Sequence, residues 1–540
     1  MTPVVRFYWI SSLLWLFLGI AILFHLAGNT LAPTSIGAHP LALSFVLLGL
    51  LYFLIGLHDI YISNSNLRRN YPVFANLRYL FESIRPEIRQ YFIASNLEEA
   101  PFNREARDLI YRRAKKLNDT LPFGTEHNLM QSGHLTVFHS IKATHVPEDK
   151  TRVLFGGEQC LQPYSASLLN ISGMSFGALS ANAITTLNKA AAMGGFAHNT
   201  GEGSISPYHR THGGDLIWQI GTGYFGCRNL DGSFNDEAFR KGASDKTVKM
   251  IEIKISQGAK PSHGGVLPGA KVTEEIAAIR LVEVGKTVAS PANHPEFSTP
   301  VGLLEFVKRL RDLSGGKPTG FKLCIGRRSE FMSIVKAMLS TGIYPDFITI
   351  DGAEGGTGAA PVEFSNRIGT PCLEATYFVN QVLIGAGIRD RMRIISAGKT
   401  ATGFDLLTKI ALGADTVNSA RAMMLALGCV QSKACNTNNC PTGIATTDPA
   451  RAKAINIDEK SHRVRNFHEG TVNAFLELCG AIGYDDPSKL KPTDLFQRVG
   501  NEQKHFDQIY TPLSSGQLLT TSIPEAYAQD WEKASAESFS

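Results

Sequence analysis

The chain runs to 540 residues, 44% of them hydrophobic and 19% charged, too long for one ordinary domain and too apolar for a disordered polymer. A formal net charge of +5, with no long basic tract inside the globular part, argues against nucleic acid as a partner. Of the eight cysteines, Cys160, Cys227, Cys324, Cys372 and Cys479 are scattered without a pairing pattern, which suits a reducing compartment.

Residues 7–27 are apolar and uncharged, long enough to cross ~30 Å of hydrocarbon. A second apolar run covers residues 41–57 and extends through Ile60 and Tyr61. The segment between them, NTLAPTSIGAHP, holds no Lys or Arg, whereas Arg68, Arg69, Arg78, Arg85 and Arg89 follow the second run. The positive-inside rule therefore predicts a two-helix transmembrane hairpin in the cytoplasmic membrane, its loop outside and the catalytic domain in the cytoplasm. A cleaved signal peptide is disfavoured, because the first run is longer than a usual signal core and a second follows at once. Trp9, Trp15, Tyr52 and Tyr61 are aromatic candidates for the headgroup level, Trp15 lying deep for that role.

Residues 1–61 are thus the predicted hairpin and 62–149 a basic helical connector, in which NLRYLFESIRPEIRQYF reads as an amphipathic helix around Pro86. Its arginines suit either a solvated face or anionic lipid. From 150 to 448 short apolar strands end in Gly, Ser or Asp and alternate with helical stretches, the pattern of parallel βα units. Strands are predicted at 168–176, 195–203, 249–258, 285–291, 320–326, 346–352, 392–398 and 415–421. Eight of them favour a (β/α)8 TIM barrel, an α/β fold whose active site lies at the C-terminal strand ends. Residues 449–540 read as a helical, then irregular, extension.

Polar and glycine-rich motifs fall at those strand ends. SGMSFGALS places Gly173, Met174 and Ser175 where small residues admit a flat ring close to the backbone. SAGKTATGFD, with Gly398 and Lys399, and NSARAMM, with Ala420 and Arg421, form a two-part phosphate cradle after the seventh and eighth strands. DGAEGGTGAAP adds Gly355, Gly356 and Thr357. EIKISQGAKPSHGGVLPG supplies Lys254, Gln257, Lys260 and His263, and Arg280 follows on the next helix. Such lysines stabilise a reduced flavin or hold a substrate carboxylate, and arginine pairs with carboxylates bidentately. The plainer alternative for the lysines is an internal salt bridge to Glu202 of NTGEG. His198, His209, His212, His263 and His294 are spaced too irregularly for a mononuclear metal site.

In GCVQSKACNTNNCPTG, Cys429, Cys435 and Cys440 are spaced C-x5-C-x4-C with Pro441 behind the last. Three thiolates on a backbone rich in Gly and Asn can wrap an iron–sulfur cluster with an open corner, such as 3Fe–4S; the alternative is three ordinary thiols.

The six ordered motifs GMSFGALS, NTGEG, QGAKPSHGGVLPG, DGAEGGTGAAP, SAGKTATGFD and the cysteine loop through CPTGIAT resemble the FMN-binding synthase domain of glutamate synthase. The resemblance implies a TIM barrel holding FMN, a 3Fe–4S cluster on Cys429, Cys435 and Cys440, and reduction of 2-iminoglutarate made from 2-oxoglutarate and ammonia. It further implies that Glu202 lies near the flavin and that Lys254, Lys260 and Arg280 surround FMN and the oxo acid. Two departures stand out: the family's glutamine for 2-oxoglutarate falls at Val266, and its GEGG run reads SHGG. No glutaminase segment with an N-terminal catalytic cysteine is found, since Thr2 follows Met1. No GxGxxG unit follows a strand either, so electrons are expected from ferredoxin, a flavoprotein subunit or the quinone pool.

Three functions are therefore weighed. The first is a membrane-anchored, ammonia-dependent glutamate synthase. Val266 favours the second, a flavin and iron–sulfur oxidoreductase acting on another oxo acid, imine or amine. The third, an FMN-binding electron-transfer subunit of a membrane complex, leaves a polar pocket around Lys260 and Arg280 without a purpose.

Overall fold

The computed structural model describes residues 1–28 and 40–539, and the chain divides into two compact units, 1–99 and 100 onward. The predicted outside loop falls almost wholly outside the described residues.

In the first unit, helices Pro3–Gly28 and Pro40–Leu57 pair closely. Glycine makes the approach possible: a Cβ at Gly56 would sit 2.0 Å from the Tyr8 ring, and one at Gly49 would sit 2.6 Å from Trp15. Trp15 therefore packs between helices, stacking on Phe45 at 4.1 Å. The apolar stretches Pro3–His25 and Pro40–Ile62 are each 23 residues, about 35 Å at 1.5 Å per residue and enough to cross a bilayer. Beyond them lie Phe74–Ile88, an α-helix containing Pro86, and the π-helical turn Arg89–Ile93.

The second unit is built on a closed barrel of eight parallel strands. They are β1 Leu169–Ile171, β2 His198–Asn199, β3 Leu216–Ile220, β4 Val248–Lys254, β5 Thr319–Leu323, β6 Phe347–Asp351, β7 Arg393–Ala397 and β8 Thr416–Ser419. β8 pairs with β1 and β4 with β5, which closes the ring. The strand predicted at 285–291 is corrected. Only Val288–Ala289 is extended there, and it pairs antiparallel with Val266–Leu267 in the excursion after β4. The third barrel strand is instead LIWQI, whose five residues are all buried. Buried on both faces, it shows no polar alternation to announce it.

Helix caps fix the alternation locally. The Ser180 side chain accepts from the Ala183 amide at 3.3 Å to start helix Ala181–Gly194, and Gly195 ends it at φ 65°. Thr402 and Asp405 form a reciprocal capping box at the start of Gly403–Ala411. The 26-residue helix Ile457–Ile482 packs on both of these helices. The antiparallel pair Arg152–Phe155 and Tyr164–Ser167 brings Phe155 and Tyr164 against Ile217, Met250 and Phe347, plugging the N-terminal end of the barrel.

Near that end Asp346 is buried, accepting from the amides of Gly157 and Thr319, both at 2.8 Å, and from Arg311 Nε at 2.9 Å. Asp346→Ala leaves Arg311 as an unpaired buried cation. The expected loss is about 3–5 kcal/mol of stability, read from the urea midpoint at unchanged slope. A midpoint matching wild type would show that water reaches Arg311.

Candidate active site

The C-terminal ends of the strands open into one long cavity of about 1180 Å³, including its mouth. Glu202, Lys254, Lys260 and Arg280 all line it, with Gly173, Met174, Ser175, Gln257, Gly356, Thr357, Ala420 and Arg421. A second cavity adjoins it, sharing Gly173, Gln257, Gly356, Ala420 and Arg421 and adding Gly355, Gly398 and Lys399.

At one end the charges interlock. Lys254, the last residue of β4, places Nζ 2.6 Å from Glu202 Oε1, so the salt bridge foreseen as the plain alternative exists, inside the cavity. Space for the carboxylate comes from glycine, since a Cβ at Gly265 would lie 2.5 Å from Glu202 Oε1. Burial pushes the Glu202 carboxyl up, but Lys254, Lys260 and Arg280 more than offset it and hold it below its ordinary value. Arg280 donates to the Phe176 carbonyl at 2.8 Å and to Ser175 Oγ at 3.3 Å, with its guanidinium 5.3 Å from the centre of the Phe225 ring. Burial lowers its pKa to about 10.

Lys260 differs from Lys254. It is 3% exposed, and among the described residues no carboxylate lies within ion-pair distance of its ammonium. Burial therefore lowers its pKa to about 8, with Glu202 opposing and Lys254 adding to the drop. An anion held by Lys260 binds fully below that pH, where the ammonium form prevails. Its affinity falls by up to about tenfold per unit as the pH rises through 8 and above. Calorimetric titration with a dicarboxylate from pH 7 to 10 checks this; constant affinity would remove Lys260 from the anion-binding set.

The other end is a cradle of glycine and cations. A Cβ at Gly356 would meet Arg421 Nε at 2.7 Å, so glycine there leaves room for the guanidinium, which donates to the Glu354 carbonyl at 2.6 Å. Lys322, at the same cavity, has Nζ 3.4 Å from Asp351 Oδ2. Burial would push it down, but Asp351 and Glu252 outweigh that and keep it charged. Gly258 touches the loop after β6 so closely that a Cβ would fall 1.6 Å from the Gly352 carbonyl, and its amide donates to Asp351 at 2.9 Å. Among the described residues the Asn418 side-chain oxygen, buried there, has no hydrogen-bond partner, so it is free to accept from a ligand. These features suit a planar, phosphorylated cofactor with a hydroxylated linker.

Beneath the cavity, inside the barrel, Glu252 is fully buried and satisfied by Asn199 at 2.7 Å, Gln219 at 2.5 Å and Thr349 at 2.7 Å. Gln219 and Phe225 were not among the predicted site residues, because β3, which carries Gln219, and the loop after it, which carries Phe225, were missed. Lys322 and Lys271 were passed over although each is a lysine in a small, apolar context.

Of the three loop cysteines, Cys435 lines the cavity, and Cys429, Cys435 and Cys440 lie close enough to perturb one another electrostatically. Burial raises the Cys440 thiol, but the Thr442 hydroxyl and the amides of Ala445, Thr442 and Ile444 outweigh it and favour the thiolate. Lys271 Nζ, buried beside Cys435 and Cys440, donates to the carbonyls of Ala178 at 3.1 Å and Ala445 at 2.9 Å. Among the described residues no three His, Cys, Asp or Glu side chains converge tightly enough for a single metal ion. His294 serves the frame, with Nε2 2.9 Å from the Lys254 carbonyl and Nδ1 3.0 Å from the Tyr224 hydroxyl.

The family described as the conserved region in glutamate synthase matches residues 129–485. The glutamate synthase large subunit-like protein YerD of Bacillus subtilis (strain 168) is 37% identical over 459 residues, 78% of this chain and 87% of the relative. The archaeal glutamate synthase [NADPH] of Methanocaldococcus jannaschii is 35% identical over 339 residues, 62% of this chain and 63% of that protein. Among solved structures, a lactate oxidase from Pediococcus acidilactici aligns with 77% of this chain and 93% of its own at 12% identity and a TM-score of 0.43.

Proposed function

The chain belongs to the family defined by the conserved region of glutamate synthase, and from that premise we propose that it is a membrane-anchored FMN and iron–sulfur enzyme making glutamate from 2-oxoglutarate and ammonia. Membership makes it an oxidoreductase; substrate, cluster and anchoring are the proposal. The supporting observation is the convergence of Glu202, Lys254, Lys260 and Arg280 at one end of a cavity whose other end is a cationic glycine cradle.

FMN bound there would supply the hydride that reduces the C=N bond of 2-iminoglutarate, the imine nitrogen taking a proton to balance it. Lys399, Arg421 and Lys322 would hold its phosphate, while Gly173, Met174, Ser175 and Gln257 would admit its ring system. Lys260 and Arg280 bind the substrate carboxylates, and Lys260, titrating near 8, is suited to hold or release a proton at the imine nitrogen. Glu202 orients Lys254 through their 2.6 Å contact. Cys429, Cys435 and Cys440 would hold the cluster, with Cys435 on the cavity wall. Ferredoxin, a flavoprotein subunit or a quinone-linked donor would deliver the electrons. The two apolar helices and the arginines that follow support a cytoplasmic-membrane location with the barrel on the cytoplasmic side.

A second reading rests on one observation. Val266, Leu267 and Val288 form an apolar stretch of the cavity wall, which suits an oxo acid with an apolar side chain. The test is product analysis: dithionite-reduced protein with 2-oxoglutarate and 15N-ammonium should yield 15N-glutamate in proportion to the flavin oxidised. Flavin that stays reduced, with no labelled glutamate, would contradict the proposal and leave the second reading.

A further inference from the structure

In the first unit the helix Phe74–Ile88 and its continuation Arg89–Ile93 span about 30 Å. Leu77, Leu80, Phe81, Ile84, Ile88 and Phe92 fall within roughly 120° of arc at 3.6 residues per turn, and all six are exposed, Phe92 at 84%. On the opposite face Ala75 is buried. Arg78, Arg85 and Arg89 share one flank of the stripe and line a groove there with Phe81, Ile88 and Ile93. An apolar band more than four turns long is unusual on a surface meant for water.

The start of this helix is tied to the end of the second apolar helix. Asp59, 1% exposed, accepts from the Val73 amide at 2.9 Å and from Asn76 Nδ2 at 2.6 Å. The Ser65 and Tyr79 hydroxyls bond at 2.7 Å, Arg68 lies 4.7 Å from the centre of the Tyr79 ring, and Arg69 donates to the Ser63 carbonyl at 2.8 Å. Eleven residues, among them the short helix Asn66–Asn70, separate Ile62 from the amphipathic segment, and these contacts hold the two together.

We infer that residues 74–93 form an in-plane interfacial helix, its apolar stripe sunk to the headgroup–acyl boundary and Arg78, Arg85 and Arg89 meeting anionic phospholipid headgroups. The inference rests on the reading that Pro3–Gly28 and Pro40–Leu57 cross the bilayer. Continuity with those helices and the arginine flank single out lipid as the occupant, since cations near an anionic leaflet are attracted to its headgroups. The Asp59 latch makes the segment a rigid foot beneath the hairpin.

The test uses the full chain in vesicles of phosphatidylcholine and phosphatidylglycerol doped with photoactivatable phospholipids, the reactive group near the glycerol or at the chain terminus. Peptides from both apolar helices should take the deep probe, whereas Leu77–Phe92 should take the shallow probe and spare the deep one. The R78Q/R85Q/R89Q variant should lose at least about threefold of the preference for phosphatidylglycerol over phosphatidylcholine probes. A stripe that labels with neither probe while the apolar helices label, that labels as deeply as they do, or that cross-links to a second copy would overturn the inference. Absence of deep labelling on the apolar helices would instead overturn the hairpin reading, and this inference with it.

Discussion

If Cys429, Cys435 and Cys440 hold the proposed cluster, Cys435→Ser is expected to strip the protein of iron. Cys435 is one of three thiols that perturb one another electrostatically, and it is the one on the cavity wall. Replacing a ligating sulfur by an oxygen that binds iron weakly should lower iron per chain at least about tenfold, with loss of the low-temperature EPR signal. The flavin spectrum should survive, because the cradle at Gly356 and Arg421 makes no use of Cys435. Transfer from an external donor would then stall while chemically reduced flavin still meets its substrate. Iron and EPR matching wild type would mean that the loop carries ordinary thiols.

Lys260→Ala is expected to slow oxidation of reduced flavin by 2-oxoglutarate and ammonium by about a hundredfold or more. Among the described residues its ammonium has no carboxylate partner, in contrast to Lys254, and holding a largely desolvated cation without one is a cost the fold bears without structural return. Removing a lysine that served the structure would cost stability, whereas removing this one relieves a desolvated cation, so thermal stability should hold or rise while turnover collapses. Lys260→Arg keeps the charge and should recover part of the binding. Turnover within about twofold of wild type in Lys260→Ala would exclude an active-site role.

The alternation of short apolar strands with helices, and the Gly, Ser and Asp residues that end the strands, were legible because they are local. So were the loop motifs, each contained in about ten consecutive residues. β3 was not, because LIWQI is buried on both faces and lacks period-two alternation, while Val288 and Thr287 between Gly285 and Pro291 imitated a strand. With β3 went Gln219 and Phe225. Glu252, Lys322 and Lys271 escaped for another reason: their partners Thr349, Asp351 and Ala445 are far away in the chain, and only closure of the barrel brings them together. The Lys254–Glu202 pair spans a similar gap but was anticipated, since both residues sit in motifs already assigned to strand ends.

The most direct measurement is anaerobic stopped-flow of the purified holoenzyme, with flavin reduced beforehand and mixed with ammonium and either 2-oxoglutarate or an apolar 2-oxo acid. Rapid return of the oxidised flavin bands with 2-oxoglutarate, and slow return with the apolar acid, is the predicted result. Oxidation by the apolar acid alone would contradict glutamate synthesis and assign the Val266 wall its substrate.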